Sequence, residues 1–133
     1  MDEDELLRRY GTRPDDADLD EIRRLLDTQR ALGPDADTLT MKLLCVQLFN
    51  AGHVEDVLRI WQAKESGFDA HCSIDVQLLC GTGLDATRRH LAAVPGEVAQ
   101  QALTYLEECV RSGDFDEFDV EDRAAWYDQY YRV

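Results

Sequence analysis

Residues 38–66 read TLTMKLLCVQLFNAGHVEDVLRIWQAKES, and this stretch decides the fold. Apolar residues recur at helical spacing on both sides of an Asn50-Ala51-Gly52 turn. The first half is apolar around more than one face, which indicates a helix packed between others. Asp37 or Asp35 can cap this helix, and Gly52 suits the left-handed position that ends it. The stretch therefore predicts two helices joined by a tight turn.

The same pattern returns about thirty residues later. Residues 46–49 (VQLF) align with residues 76–79 (VQLL) without a gap, and residues 112–117 give a weaker echo of residues 51–56. The shared features are a helix, a glycine turn, an acid and a second helix. Because one hairpin cannot bury both of its faces, copies of it must stack on one another.

Further helical patterns lie outside this hairpin. A capping-box variant at Asp18–Glu21 predicts a helix whose outer face carries Arg23, Arg24 and Arg30. Asp69 is expected to cap a helix that continues through Ile74 to Leu79. Later helices are expected at 85–94, at 97–112 and after Asp119, and Val98 is predicted to face inward.

No stretch shows the strict alternation of a β-strand. We therefore predict an all-α fold of about six to eight helices arranged as stacked antiparallel hairpins, either a short α-solenoid or an irregular helical-repeat bundle. Residues 1–133 are predicted to form one domain. Within it, residues 1–17 form an N-terminal cap, 18–113 the hairpins, and 114–133 an acidic connection with an aromatic capping helix.

Residues 48–61 (LFNAGHVEDVLRIW), followed by 64–67 (KESG), carry the clearest repeat pattern. They resemble the second half of helix A, the turn and helix B of tetratricopeptide and pentatricopeptide units. The resemblance extends over residues 37–94 and implies an architecture of helical hairpins. Pentatricopeptide proteins that read RNA place small polar residues where this chain has Lys42 and Leu43, so the resemblance does not imply RNA reading.

The charge is strongly acidic and uneven. The chain has 28 acidic and 14 basic residues and a net charge of -14. Residues 37–95 hold 7 acidic and 5 basic residues, whereas residues 96–133 hold 10 and 3. Such a chain repels phosphate backbones and anionic lipid. We therefore expect no nucleic acid and no membrane as partners, but a protein partner that is basic.

The N-terminus MDEDELLRRYG lacks the positive start and apolar core of a secretory signal. No apolar run approaches the roughly 18 residues of a membrane span. The four cysteines (Cys45, Cys72, Cys80 and Cys109) are far apart. We expect reduced, mostly buried thiols in a cytoplasmic protein.

The sequence offers little for metals or catalysis. His71, Cys72 and Cys80 lack the paired short spacings of structural zinc, although Cys72 and Cys80 could share a helical face. The acidic run from Asp114 fails the calcium-loop pattern, because positions 5 and 6 are Phe118 and Asp119. No nucleophile elbow or phosphate loop is present. We predict no cofactor, no metal and no enzymatic activity.

The candidate partner-binding residues lie in the acidic C-terminal segment. They combine carboxylates with a dense aromatic group, and Trp and Tyr dominate interface energetics. The alternatives are a solvated acidic connection and an aromatic helix that only seals the last hairpin. The candidates are Asp114, Asp116, Glu117, Asp119, Glu121, Asp122, Trp126, Tyr127, Tyr130 and Tyr131.

The function predicted from the sequence is a small acidic helical-repeat interaction module, such as an inhibitor, immunity-type protein or adaptor that binds a basic partner. An alternative is an enzyme or small-ligand binder with a pocket between hairpins near His71, Cys72 and Cys80. A third is a structural subunit of a homo-oligomer.

Overall fold

The computed structural model describes residues 1–132, and Val133, the last residue of the predicted capping segment, lies outside them. Within these residues there are eight α-helices and no strand, which confirms the all-α prediction. No helix in this range is both long and apolar enough to cross a membrane. The helices are α1 (Glu3–Tyr10), α2 (Leu19–Ala31), α3 (Thr38–Ala51), α4 (Val57–Lys64), α5 (Phe68–Ser73), α6 (Leu84–Ala93), α7 (Glu97–Arg111) and α8 (Val120–Tyr130). Short 3-10 turns occupy 16–18, 33–35, 54–56 and 76–80.

Helix α3 is the centre of the molecule. Met41 and every residue from Leu43 to Phe49 are buried. The helix packs against α1, α2 and α5 and against the 76–80 turn. The prediction of a helix packed between others is confirmed, because burial on several faces requires apolar residues all round.

Several helix ends follow local sequence signals. Asp37 Oδ1 accepts hydrogen bonds from the amides of Leu39 (3.1 Å) and Thr40 (3.2 Å). Gly52 ends α3 with φ 72° and ψ 35°, the predicted left-handed position. The prediction of a capping box at Asp18–Glu21 is wrong. Asp18 ends a 3-10 turn with φ -97° and ψ -6°, and its side chain makes no capping bond, whereas a cap usually has extended backbone.

A buried carboxylate joins α2 to α4. Asp56 is 1% exposed and accepts from Arg23 Nε (2.9 Å) and Arg59 Nη1 (3.0 Å). Arg23 was predicted on an outer face, and this is wrong, because Asp56 draws its guanidinium against α4. Two cations around one carboxylate compensate for the desolvation of that carboxylate.

The predicted helix from Asp69 to Leu79 is broken. Helix α5 ends at Ser73, Ile74 is extended (φ -91°, ψ 110°), and a 3-10 turn follows. Carbonyls freed at the break accept hydrogen bonds from the buried Lys64 Nζ, with His71 O at 2.6 Å and Ile74 O closer. Cys72 and Cys80 therefore do not share a helical face.

The first and last parts of the chain meet. Thr12 Oγ1 donates to Asp128 Oδ1 (2.6 Å), and Arg13 Nη2 pairs with Asp128 Oδ2 (3.0 Å). Gln47 Nε2 of α3 donates to Gly11 O at 2.8 Å. In a solenoid each repeat contacts only its neighbours. Of the two predicted arrangements, the contact between the two ends favours the irregular bundle.

Candidate functional site: an acidic cleft beside exposed aromatics

The connection from α7 to α8 begins with a defined helix stop. Gly113 adopts φ 91°, its amide donates to Val110 O, and the Asp114 amide donates to Cys109 O. This pair of bonds is a Schellman motif, which needs a residue with positive φ. The chain therefore turns sharply at Gly113 and places the following acids beside α8.

Two phenylalanines anchor this connection. Phe115 is buried and meets the half-buried Phe118 edge to face, with ring centroids 5.2 Å apart. Gln77 Nε2 donates to Asp114 O (2.8 Å) and ties the connection to the 76–80 turn. Asp119 Oδ1 accepts from the Asp122 amide (3.0 Å) and caps α8. These contacts hold the apolar side inward and leave the carboxylates at the surface.

The acids surround a cleft of about 210 Å³ between this connection and α8, which we name the acidic cleft. Five carboxylates, one guanidinium and an exposed indole contribute to its lining. It is formed by Gln77, Asp114, Asp116, Glu117, Phe118, Asp119, Asp122, Arg123 and Trp126.

The negative charge of the acidic cleft is not neutralised internally. Within residues 1–132, none of its five carboxylates takes part in a salt bridge. Arg123, its one cation, pairs instead with Asp75 (3.4 Å), which lies outside the lining. The cleft is therefore a site of concentrated negative potential.

An exposed aromatic pair adjoins the cleft. Trp126 and Tyr130 are 47% and 51% exposed and stack with centroids 5.6 Å apart and planes 18° apart. Lys42 Nζ lies 4.8 Å from the Tyr130 ring centroid, and the Arg123 guanidinium lies 4.9 Å from that of Trp126. The two rings thus already accept cations on their faces, as cation–π geometry requires.

The other two C-terminal aromatics belong to the core. Tyr127 is fully buried, packs edge to face on Phe49 and donates its hydroxyl to Asp75 Oδ2 (2.6 Å). Tyr131 is also buried. Burial is the main cause that raises the pKa of both phenols above the ordinary value. Both rings therefore stabilise the fold and are not accessible to a partner.

The structure brings most of the predicted site together. Asp114, Asp116, Glu117, Asp119 and Asp122 line one cleft with Trp126, whereas Glu121 is exposed outside its lining. Sequence reasoning missed Gln77 and Arg123. Arg123 is the single base between residues 114 and 128, three positions before Trp126, and this spacing could have identified it. Gln77 lies in the 76–80 turn, and no sequence spacing links it to the C-terminal segment.

The residues of the alternative pocket lie apart. His71 Nδ1 is 2.7 Å from Glu65 Oε2, Cys72 is exposed and Cys80 is buried. Burial raises the pKa of the Cys80 thiol to about 12, which keeps it protonated and poorly nucleophilic. Within residues 1–132, no three His, Cys, Asp or Glu side chains are grouped to hold a metal ion.

Comparisons with known proteins were made for the whole chain. No protein-family model, no curated protein and no solved structure matches it.

Proposed function

We propose that this protein is an interaction module that binds a basic protein partner through the acidic cleft and the adjoining Trp126–Tyr130 pair. The observation that carries the proposal is the set of five carboxylates around one cleft, none of which has an ion pair within residues 1–132. Lysine or arginine side chains of a partner supply the missing positive charge through charge-assisted hydrogen bonds.

The exposed aromatic pair supports a protein partner. Trp and Tyr supply large contact areas with few rotatable bonds and are enriched among interface hot spots. Trp126 lines the cleft itself, so one partner side chain can contact both the indole and the carboxylates. Arg123 already lies over Trp126 and shows how a guanidinium fits that face.

The size of the cleft also favours a macromolecule. Pockets for small ligands are usually about 300 to 1,000 Å³ and mostly apolar. The acidic cleft has about 210 Å³, and six of the nine residues that line it are charged. It therefore suits single side chains of a docked protein better than a whole small molecule.

An inhibitor, immunity-type protein or adaptor is the class we infer from this surface. An acidic protein can cover the basic groove of a toxin or nuclease by presenting carboxylates where phosphates bind. We place the protein in the cytoplasm, since its four cysteines are free and Cys72 is exposed. We also propose that α3 and α4 form a tetratricopeptide-like unit, which the left-handed Gly52 at their turn supports.

The test is affinity capture with matched variants of the full chain. Asp116→Asn with Asp122→Asn removes two cleft charges, and Trp126→Ala removes the indole. Asp4→Asn with Asp35→Asn changes the net charge equally, at exposed residues that do not line the cleft. Proteins from the native cell that bind the immobilised wild type are identified by mass spectrometry and compared across variants.

The proposal expects a basic protein that the wild type and the Asp4/Asp35 control retain and that both cleft variants lose. Equal retention by all four proteins, or a partner that is not basic, contradicts it. Far-UV circular dichroism of each variant verifies that any loss of binding does not come from unfolding.

A further inference from the structure

A second surface lies between α4 and α7. Two adjoining cavities of about 460 and 400 Å³ share Trp61, Glu65 and Gln101 in their walls. We name this surface the α4–α7 groove and describe it by Trp61, Glu65, Glu97, Gln101, Tyr105 and Glu108. None of these residues lines the acidic cleft, so the groove is a separate site.

The floor of the groove is aromatic and held in place. The rings of Trp61 and Tyr105 lie 5.3 Å apart between centroids. His71 contacts Glu65 Oε2 with Nδ1 (2.7 Å), and its Nε2 lies 3.5 Å from the Tyr105 hydroxyl. A carboxylate only accepts, so Nδ1 donates to Glu65, and the imidazole also meets the Tyr105 ring edge to face with centroids 5.4 Å apart. His71 thus orients one side chain from each wall.

The rim of the groove is acidic. Glu97, Gln101, Thr104 and Glu108 are exposed and follow one another at four-, three- and four-residue steps, which places them on one face of α7. Within residues 1–132, Glu97 and Glu108 make no salt bridge, whereas the neighbouring Glu107 pairs with Arg88 at 2.6 Å. Within residues 1–132, the two rim carboxylates of α7 are thus without ion pairs, whereas Glu65 on the opposite wall contacts His71.

Apolar surface accompanies these charges. Val98 lies in the second cavity and is 41% exposed, although it was predicted to face inward. Trp61 contributes to the shared wall and is nearly buried. The one basic residue of the lining, Arg30, belongs to the second cavity alone.

We propose that the α4–α7 groove docks a basic amphipathic helix of a protein partner. The rim carboxylates span 97 to 108, about 16 Å along α7 at 1.5 Å per residue, or three turns of a docked helix. Lysines of that helix meet Glu97, Glu108 and Glu65, and its apolar face covers Val98 and Trp61. This is recognition of a helix in a groove, with charge complementarity that selects the occupant.

The probe is a synthetic helical peptide of leucine and lysine, about five turns long. The chain has two tryptophans, so Trp126→Phe leaves Trp61 as the one fluorescent reporter. Trp61 lines the groove and not the acidic cleft, so this readout does not depend on the function proposed above. We expect saturable change of Trp61 emission, and binding about fivefold or more weaker with Glu97→Gln and Glu108→Gln added.

Two controls decide between this site and general attraction. Asp4→Asn with Asp35→Asn removes the same charge elsewhere and is expected to change the affinity less than about twofold. A peptide with the same lysines but glutamine in place of leucine, which keeps the charge and lacks the apolar face, is expected to bind about tenfold more weakly. No binding, binding without a change in Trp61 emission, equal losses in both charge variants, or equal affinity of both peptides overturns the proposal.

Discussion

The indole of Trp126 stacks on the phenol of Tyr130, with centroids 5.6 Å apart and planes 18° apart, and both rings are half exposed. Tyr127, which directly follows Trp126 in the same helix, is completely buried against Phe49. Helix α8 therefore separates its aromatics into a surface pair and the buried Tyr127, and substitutions on the two faces are expected to act on different properties.

Stability measurements distinguish the two faces. Tyr127→Ala is expected to lower the free energy of unfolding by about 3–5 kcal/mol, because it empties a fully buried site. Tyr127→Phe keeps the ring and loses the hydrogen bond to Asp75 and the longer one from Arg123 Nη2 (3.4 Å), which together cost about 1 kcal/mol. Trp126→Ala is expected to cost less than about 1 kcal/mol. Urea denaturation measures all three, and a larger loss at Trp126 than at Tyr127 would show that the faces are assigned wrongly.

Gly81, directly after the 76–80 turn, tests how closely the chain packs on α3 at this point. Its φ of -62° suits any residue, yet an added Cβ overlaps the carbonyl oxygen of Phe49. Gly81→Ala is therefore expected to destabilise the protein by about 1–3 kcal/mol. Gly67→Ala is the matched control, since nothing lies within 4 Å of its added Cβ and its backbone is extended. Similar melting temperatures for both variants would contradict the contact.

Asp56 links α2 to α4 through its ion pairs with Arg23 and Arg59. Removing the buried carboxylate leaves Arg23 with Asp20 and Arg59 with Asp27, both more exposed partners, so Asp56→Ala is expected to cost about 1–3 kcal/mol. Asp27 also pairs with Arg59 but is much more exposed. Asp27→Ala is expected to cost less than about 1 kcal/mol. Chemical denaturation measures the free energy of unfolding of both variants. A loss for Asp56→Ala no greater than that for Asp27→Ala would contradict a structural role for the buried carboxylate.

The buried Cys80 thiol predicts a loss of stability at alkaline pH. Burial raises its pKa to about 12, whereas an unfolded thiol titrates near 8.5. The folded state therefore holds the proton more tightly, and its stabilisation is complete below about pH 8.5 and declines as the pH rises towards 12. The free energy of unfolding is expected to fall by up to about 1.4 kcal/mol per pH unit from this thiol. Urea denaturation from pH 8 to 10.5 is expected to show a shallower decline in the free energy of unfolding for Cys80→Ala than for the wild type. Equal slopes for the two proteins would show that the Cys80 thiol is not the cause.

Local signals made much of this fold predictable. Asp37 caps α3 through amides two and three residues away, and Gly52 and Gly113 end helices through bonds within five residues. Asp119 starts α8 in the same way. Such interactions depend on adjacent residues only, so the sequence pattern contains them. The acids of the candidate cleft were predictable for a related reason, since the turn at Gly113 keeps them together.

Long-range contacts account for what the sequence did not reveal. The break at Ile74 depends on Lys64, ten residues away, whose ammonium satisfies the carbonyls at the broken end. The bond between Thr12 and Asp128 joins residues 116 positions apart. Among the aromatics, Trp126 and Tyr127 are neighbours, and only the position of α8 against Phe49 decides which one is buried. Periodicity alone does not contain that orientation.

The most direct test of the central claim is the salt dependence of binding to the basic partner recovered by affinity capture. Calorimetry on the wild type and on Asp116→Asn/Asp122→Asn gives the dissociation constant from about 50 to 300 mM salt. The Debye length falls over this range, so salt increasingly screens the attraction between exposed charges. We expect the wild-type constant to rise about tenfold or more and the variant to show a clearly smaller slope. A dissociation constant that does not change with salt, or equal slopes for both proteins, contradicts recognition through the acidic cleft.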